Sequence, residues 1–213
     1  MKRALHLESG EIAIVGYGSL FAHTSVSKTL GREYDGPFLV AQLNDWRRRW
    51  NAAMPNAAYY HESGGERVYP EKIVYLNVRR VPGATMNCVV FVIRQSELAA
   101  MDDREWIYDR TVVTSDVRDV LVVGGDALMY VAKPEFVVEN VASTRQAAIR
   151  ASYIRILDSA FSALPGHVRA DYDRSTDAIP KGLVIDDRLD PARQNPWTAA
   201  GHRHSPASHT PRS

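Results

Sequence analysis

Short β-branched runs and polar–apolar alternation dominate the first two-thirds of the chain, and a single helical period appears only late. Residues 11–16 (EIAIVG) form an apolar run closing on glycine, the pattern of a buried strand. A short helix is expected around Ser25–Leu30. PFLVAQLNDWRRRWN (37–51) reads as one bent strand or a strand pair. Residues 52–70 show no clear period and are expected to form a long loop, a feature often tied to function in a compact domain. KIVYLNVRR (72–80) and NCVVFVIR (87–94) read as two strands joined by a turn at Val81-Pro82-Gly83-Ala84. Ser96 is placed to cap a short helix, ELAAMDDREW, followed by strands at YDRTVVTSDV and VRDVLVVGG and by a hairpin at Gly124-Gly125 leading into 126–132. Residues 144–164 give the clearest helix: Ile149, Tyr153, Ile156, Leu157, Ala160 and Leu164 recur at three- and four-residue steps, Ser143 or Thr144 can cap it, and Pro165-Gly166 stops it. A second short helix over 166–174 and a short apolar element at 179–185 follow. Five or six strands so spaced imply a mostly antiparallel or mixed, barrel-like sheet.

Composition sharpens this outline. The chain has 213 residues, enough for one generous domain with its own core. Residues 1–10 read as a loose leader, and 186–213, with four prolines, three histidines and few large apolar residues, as a disordered tail. The domain is therefore expected over 11–185. His202, His204 and His209 are read as solvated tail residues rather than metal ligands. A formal net charge of +1 gives no general electrostatic case for nucleic acid or an acidic membrane. The lone Cys88 excludes an intrachain disulfide and a cysteine-based zinc site, and suits a cytoplasmic location. Glu8 and Glu11 interrupt any signal-peptide core, and no apolar run reaches membrane-spanning length.

Two segments carry candidate chemistry. In IAIVGYGSL (12–20) a strand runs into Gly16-Tyr17-Gly18-Ser19-Leu20, where glycines allow a close turn that presents successive backbone N–H groups. A dinucleotide fingerprint would need a third glycine where Phe21 stands, and no second βαβ unit follows. In MDDREWIYDRTVV (101–113) a short helix carries Asp102, Asp103 and Glu105 into a strand with Tyr108 and Arg110. The acids could simply face water, but Trp106 and Ile107 can keep the Glu105 carboxylate partly dry, where it would serve as a base. Arg110 could pair with a substrate carboxylate or stand on the strand surface, Tyr153 reads as core, and Arg47-Arg48-Arg49 reads as a solvated face with Arg48 opposite its neighbours. Cys88, within an apolar run, reads as a core residue.

Together, Tyr17-Gly18-Ser19-Leu20 and the later Glu105 of MDDREWIYDRTVV (101–113), with an aromatic and an arginine on the following strand, resemble the γ-glutamylcyclotransferase-like superfamily. LNDWRRRWN and ASYIRILDSAFSALPG resemble two further elements of that family, so the likeness covers roughly residues 11–185. Trp106 and Asp45 stand where members often have glycine. The resemblance implies an α+β fold, a mixed β-barrel of five to seven strands with a few flanking helices. It also implies a reaction in which the α-amine of a γ-glutamyl compound attacks its own γ-carbonyl, releasing 5-oxoproline and an amine. Glu105 would be the general acid/base; Tyr17, Gly18, Ser19, Leu20, Tyr108 and Arg110 would bind substrate, with no cofactor or metal. Tyr59, Tyr60 and His61 of the 52–70 stretch could contact the leaving amine. The partner would be a small γ-glutamyl molecule, with no nucleic acid or membrane, and the chain a monomer or homodimer. A non-catalytic binding module of the same fold and a nucleotide-dependent oxidoreductase are the alternatives.

Overall fold

A computed structural model describes residues 2–144 and 146–193. In chain order these form β1 (Arg3–His6), β2 (Glu11–Gly16), α1 (His23–Leu30), β3 (Phe38–Pro55), β4 (Tyr59–Ser63), β5 (Glu66–Val68), β6 (Lys72–Arg94), α2 (Leu98–Arg104), β7 (Tyr108–Val112), β8 (Val120–Val123), β9 (Ala127–Ala132), β10 (Ala147–Arg150), α3 (Ala151–Ser162), α4 (Gly166–Arg174), β11 (Val184–Ile185) and β12 (Arg188–Leu189). The architecture is α+β. Seven strands make one mixed sheet in the order β11-β10-β6-β2-β9-β7, with β3 also paired to β6. No described helix is long and apolar enough to cross a membrane.

The sheet is organised by β6. Its second half, Cys88–Ile93, is buried on both faces between β2 and β3. Such continuous apolar runs belong to strands covered on both sides, where each fully buried Val, Ile or Phe contributes about 1.5–3 kcal/mol. β3 pairs antiparallel with β6 from Phe38↔Phe91 to Pro55↔Lys72. Residues 37–51 are thus one bent strand, and the turn expected at 81–84 lies inside β6. There the register jumps from Asn44↔Thr85 to Trp46↔Arg80, so residues 81–84 stand opposite Asp45 alone. Asp45 takes a left-handed backbone conformation (φ 63°), and its carboxylate accepts the Gly83 N–H at 2.7 Å. Aspartate is among the few residues that tolerate this conformation, which explains its place at a position suited to glycine. The turn chemistry was real, but it encodes a bulge rather than a hairpin.

Several other expectations change. Residues 3–6, expected to be loose, pair in parallel with β8, and Leu5 and Leu7 are buried in the core. β8 and β9 form no hairpin: β8 joins β1, while β9 lies between β2 and β7. The stretch 52–70 is the end of β3 followed by β4 and β5, which form a three-stranded sheet with β12. The helical stripe expected from 144 begins only at Ala151. Residues 147–150 instead pair with Lys72–Ile73 of β6, and Ile149 fills the core as a strand residue. Ser96 is not a cap; Glu97 accepts the Arg94 N–H at the start of the 3₁₀ turn preceding α2. Part of the expected tail is ordered, since Arg188–Leu189 pair with β4 and Asp190 is buried. Residues 194–213, with the three tail histidines, lie outside the described residues.

The triple arginine is not a solvated face. Arg47 pairs with Asp177 and Arg49 with Glu139, but Arg48 is wholly buried. Its Nε donates to Thr176 Oγ1 at 2.8 Å; its other nitrogens donate to Asn87 Oδ1 (2.7 Å), Asn87 O (2.5 Å), Ser175 Oγ (2.5 Å) and Tyr172 O (3.3 Å). The guanidinium also lies 4.1 Å above the Tyr172 ring. Arg48 thereby joins β3 and β6 to the C-terminal end of α4, where a cation suits the exposed carbonyls. Tyr172 packs on Phe161 of α3, and both rings pack on Phe21. This stack backs the turn that follows β2.

Candidate active site

β2 ends at Gly16, and the chain folds back at once into a 3₁₀ turn, Ser19–Phe21. Two close approaches explain the glycines. A Cβ on Gly16 would sit 2.7 Å from Leu20 Cβ and 3.0 Å from Val89. A Cβ on Gly18 would sit 2.7 Å from the Tyr153 hydroxyl. The two glycines thus serve packing of this turn, and β2 is followed by no parallel crossover to β3, which pairs only with β6. The dinucleotide reading loses its support.

Facing this turn is the end of α2. The helix stops at Arg104, and Glu105 takes a non-helical conformation (φ −95°, ψ 30°), its N–H bonded to Met101 O at 2.9 Å. Glu105 lines a narrow cavity of about 30 Å³ together with Val15, Tyr17, Gly18, Ser19, Leu20, Leu76, Tyr108, Tyr130 and Tyr153. Six residues expected at the site from the sequence, Tyr17, Gly18, Ser19, Leu20, Glu105 and Tyr108, therefore meet at one cavity.

Arg110 does not. It is about half exposed and pairs with Asp102 at 3.4 Å, outside the cavity wall. Tyr108 and Arg110 lean to the same side of β7, but two residues along the strand carry Arg110 past the cavity to the exposed Asp102. Tyr59, Tyr60 and His61 do not line the cavity either, because they belong to β4 in the separate three-stranded sheet; Tyr59 lies instead beneath Arg150. Trp106 packs its ring on Phe136, and Ile107 is buried in a small satellite core, so the walls that dry Glu105 are tyrosines rather than these neighbours.

Four tyrosines line the cavity with Glu105. Tyr17 donates to Tyr130 O at 2.7 Å, Tyr108 to Leu76 O at 2.8 Å, and Tyr130 to Asp102 Oδ1 at 2.8 Å. Burial pushes the Tyr17, Tyr108, Tyr130 and Tyr153 hydroxyls well above the usual phenol range, and the negative charge of Glu105 adds to each. Hydrogen bonding from Ser19 opposes this at Tyr153, but burial wins. All four stay protonated at neutral pH and act as neutral dipoles around one charge. Tyr75, packed on Tyr153 behind the wall, is pushed up to about 12 by its burial.

Tyr153 is a core residue, as its place in the apolar stripe implies, and its hydroxyl also comes close to Gly18. Sequence reasoning missed two residues here. Tyr130 was hidden in an apolar strand. Arg104 was passed over beside Glu105, although its Nε donates to Glu105 Oε1 at 2.8 Å.

A second, larger cavity of about 210 Å³ opens between α3, α4 and the 176–179 segment. Its carboxylates pair with arginines as Glu105 does, Asp158 and Asp173 with Arg169 and Asp177 with Arg47, but all three are far more exposed than Glu105. It offers no carboxylate comparable to Glu105, so size alone does not locate the chemistry. Cys88 is buried and burial raises its thiol to about 12, which leaves it a core residue without nucleophilic character.

No protein-family model matches the sequence, and no curated protein does. Among solved structures the chain is similar to one described as a gamma-glutamyl cyclotransferase, with a TM-score of 0.51 and 14% identity over 83% of this chain and 94% of that one. It is also similar to YkqA from Bacillus subtilis, with a TM-score of 0.52 and 17% identity over 82% of this chain and 57% of that one. The chain thus spans little more than half the length of YkqA. At such identities the likeness is one of fold: this is the γ-glutamylcyclotransferase-like fold.

Proposed function

We propose that the protein is a γ-glutamylcyclotransferase-type enzyme, which closes the γ-glutamyl group of a small substrate into 5-oxoproline and releases an amine or amino acid. The observation that carries this reading is the Glu105 carboxylate, set in a narrow tyrosine-walled cavity directly across from the Tyr17–Leu20 turn. One of its oxygens is held by Arg104; no other described residue hydrogen-bonds the second, which is free to meet a substrate amine.

The chemistry needs little else. Glu105 takes a proton from the α-ammonium group, and the freed amine attacks the γ-carbonyl carbon. The C–N bond of the lactam forms as the carbonyl π pair moves to oxygen. When the tetrahedral adduct collapses, the bond to the leaving nitrogen breaks and that nitrogen takes the proton from Glu105; the ring nitrogen, cationic since it bonded to carbon, gives up its second proton through the same carboxylate to the departing amine, which leaves as an ammonium. Base and acid are then one residue, and the proton ledger closes on the substrate. The Leu20 N–H opens a helical turn and has no partner within it, which suits it to a substrate carboxylate or the developing oxyanion. Holding amine and carbonyl together is where an intramolecular reaction gains most. A small zwitterionic substrate agrees with the near-neutral charge, and a cytoplasmic setting with the single cysteine.

The test is incubation of the full chain with γ-glutamyl amino acids, γ-glutamylamines and glutathione, with 5-oxoproline detected by mass. Release from at least one class is expected. Silence across the panel would leave a binding module of the same fold as the better reading.

A further inference from the structure

The guanidinium of Arg104 uses every nitrogen it has, and each goes to a different part of the site. Nε donates to Glu105 Oε1 at 2.8 Å. Nη2 donates to Ser19 Oγ at 2.9 Å, across the cavity mouth in the turn after β2. Nη1 donates to Thr29 Oγ1 at 2.5 Å and Ser25 O at 3.1 Å, both on α1. Adjacent residues within a helix point about 100° apart and do not face one another. Arg104 and Glu105 converge only because α2 ends between them and Glu105 leaves helical geometry. Arg104 is about a quarter exposed and Glu105 less, so the pair is shielded from bulk water.

We propose that Arg104 is a positioning residue: it holds one oxygen of Glu105, ties that carboxylate to Ser19 in the opposing turn, and so sets the angle at which the free oxygen meets the substrate. This rests on the cyclotransferase reading of the same cavity. The planar fork is the essential property. It delivers three divergent donors from one rigid plane, which the single ammonium of lysine cannot do. α1 is then part of the site's scaffold although it lines none of the cavity, because Ser25 and Thr29 anchor the far edge of the guanidinium.

The experiment pairs kinetics with structure. In steady-state 5-oxoproline release, Arg104→Met should lower kcat by about 100-fold while KM stays within about threefold, the scale expected when a reacting group is misplaced by about 1 Å. Arg104→Lys should recover only a minor part of that loss, and millimolar guanidinium should restore at least tenfold to Arg104→Met. In crystal structures of the wild type and Arg104→Met, the Glu105 carboxylate should leave its wild-type position. A kcat within twofold of wild type, a loss expressed in KM, or a Glu105 unmoved in the variant would overturn the proposal. The crystallographic comparison does not depend on turnover. If the wild type released no 5-oxoproline, the functional reading would fall, while displacement of Glu105 would still decide whether Arg104 positions it.

Discussion

Two arginines organise this molecule, and they differ in what they hold. Arg48 is wholly buried, and all its acceptors are neutral oxygens, with an aromatic face beneath. Burial lowers it to about 10, so it remains a cation at neutral pH, with no carboxylate bonded to it. Arg104 is partly exposed and holds a carboxylate that faces a cavity. The first cation closes its network completely; the second leaves one oxygen of its partner unclaimed. A saturated buried network specifies structure, whereas a half-claimed carboxylate at a cavity is available for chemistry.

Substitutions can break this contrast. Arg48→Met should be the most damaging to stability, because it strands several buried acceptors at once. A loss of about 3–5 kcal/mol is expected, with a drop in Tm of about 10 °C or more. Arg104→Met should cost less, about 1–3 kcal/mol by chemical denaturation, since its acceptors lie nearer water. Equal losses for the two would erase the distinction.

A smaller effect is expected where the turn meets α3. In Gly18→Ala the new methyl would crowd the Tyr153 hydroxyl, which stacking on Trp50 and Tyr75 keeps from swinging away. About 1–2 kcal/mol should be lost. Adding Tyr153→Phe should return part of it in a double-mutant cycle. Strict additivity would show that the two groups do not press on each other.

The smallest effect should come from a surface pair. Arg32 grips Glu97 through Nε–Oε1 at 2.6 Å and Nη2–Oε2 at 3.2 Å, and this hydrogen bonding is the main cause holding the Glu97 carboxyl below its usual 4.5. A depressed carboxyl stabilises the fold above its unfolded pKa, and that contribution fades as pH falls through the folded value. Arg32→Ala should therefore cost less than about 1 kcal/mol at pH 7, and the difference from wild type should shrink below about pH 4.5. A gap that widened on acidification would reverse the sign assigned to this pair.

Much of the site was legible because it is local in sequence. Tyr17–Leu20 follow one apolar strand, and Glu105 and Tyr108 sit three residues apart where a helix gives way to a strand. The α+β class followed from the strand-like runs. What escaped is long-range. Nothing near Arg48 in the chain announces acceptors at Asn87 and Ser175, so a triple arginine reads as solvated. Residues 147–150 continue an apolar helical stripe, yet pairing with Lys72–Ile73 pulls them into the sheet, a tertiary demand that overrides local periodicity. Arg110 shows the converse: adjacency along β7 suggested the site, but the strand carries it past the cavity.

The central claim is that the Glu105 carboxylate moves the protons of a γ-glutamyl cyclisation. It is tested most directly by 5-oxoproline release from Glu105→Gln, beside wild type, on a substrate the wild type turns over, with Tm measured on both. The amide keeps the shape and cannot take the proton. The account predicts a fall of about 1000-fold in kcat with Tm within a few degrees of wild type. Turnover within a few-fold of wild type in a folded Glu105→Gln protein would contradict it.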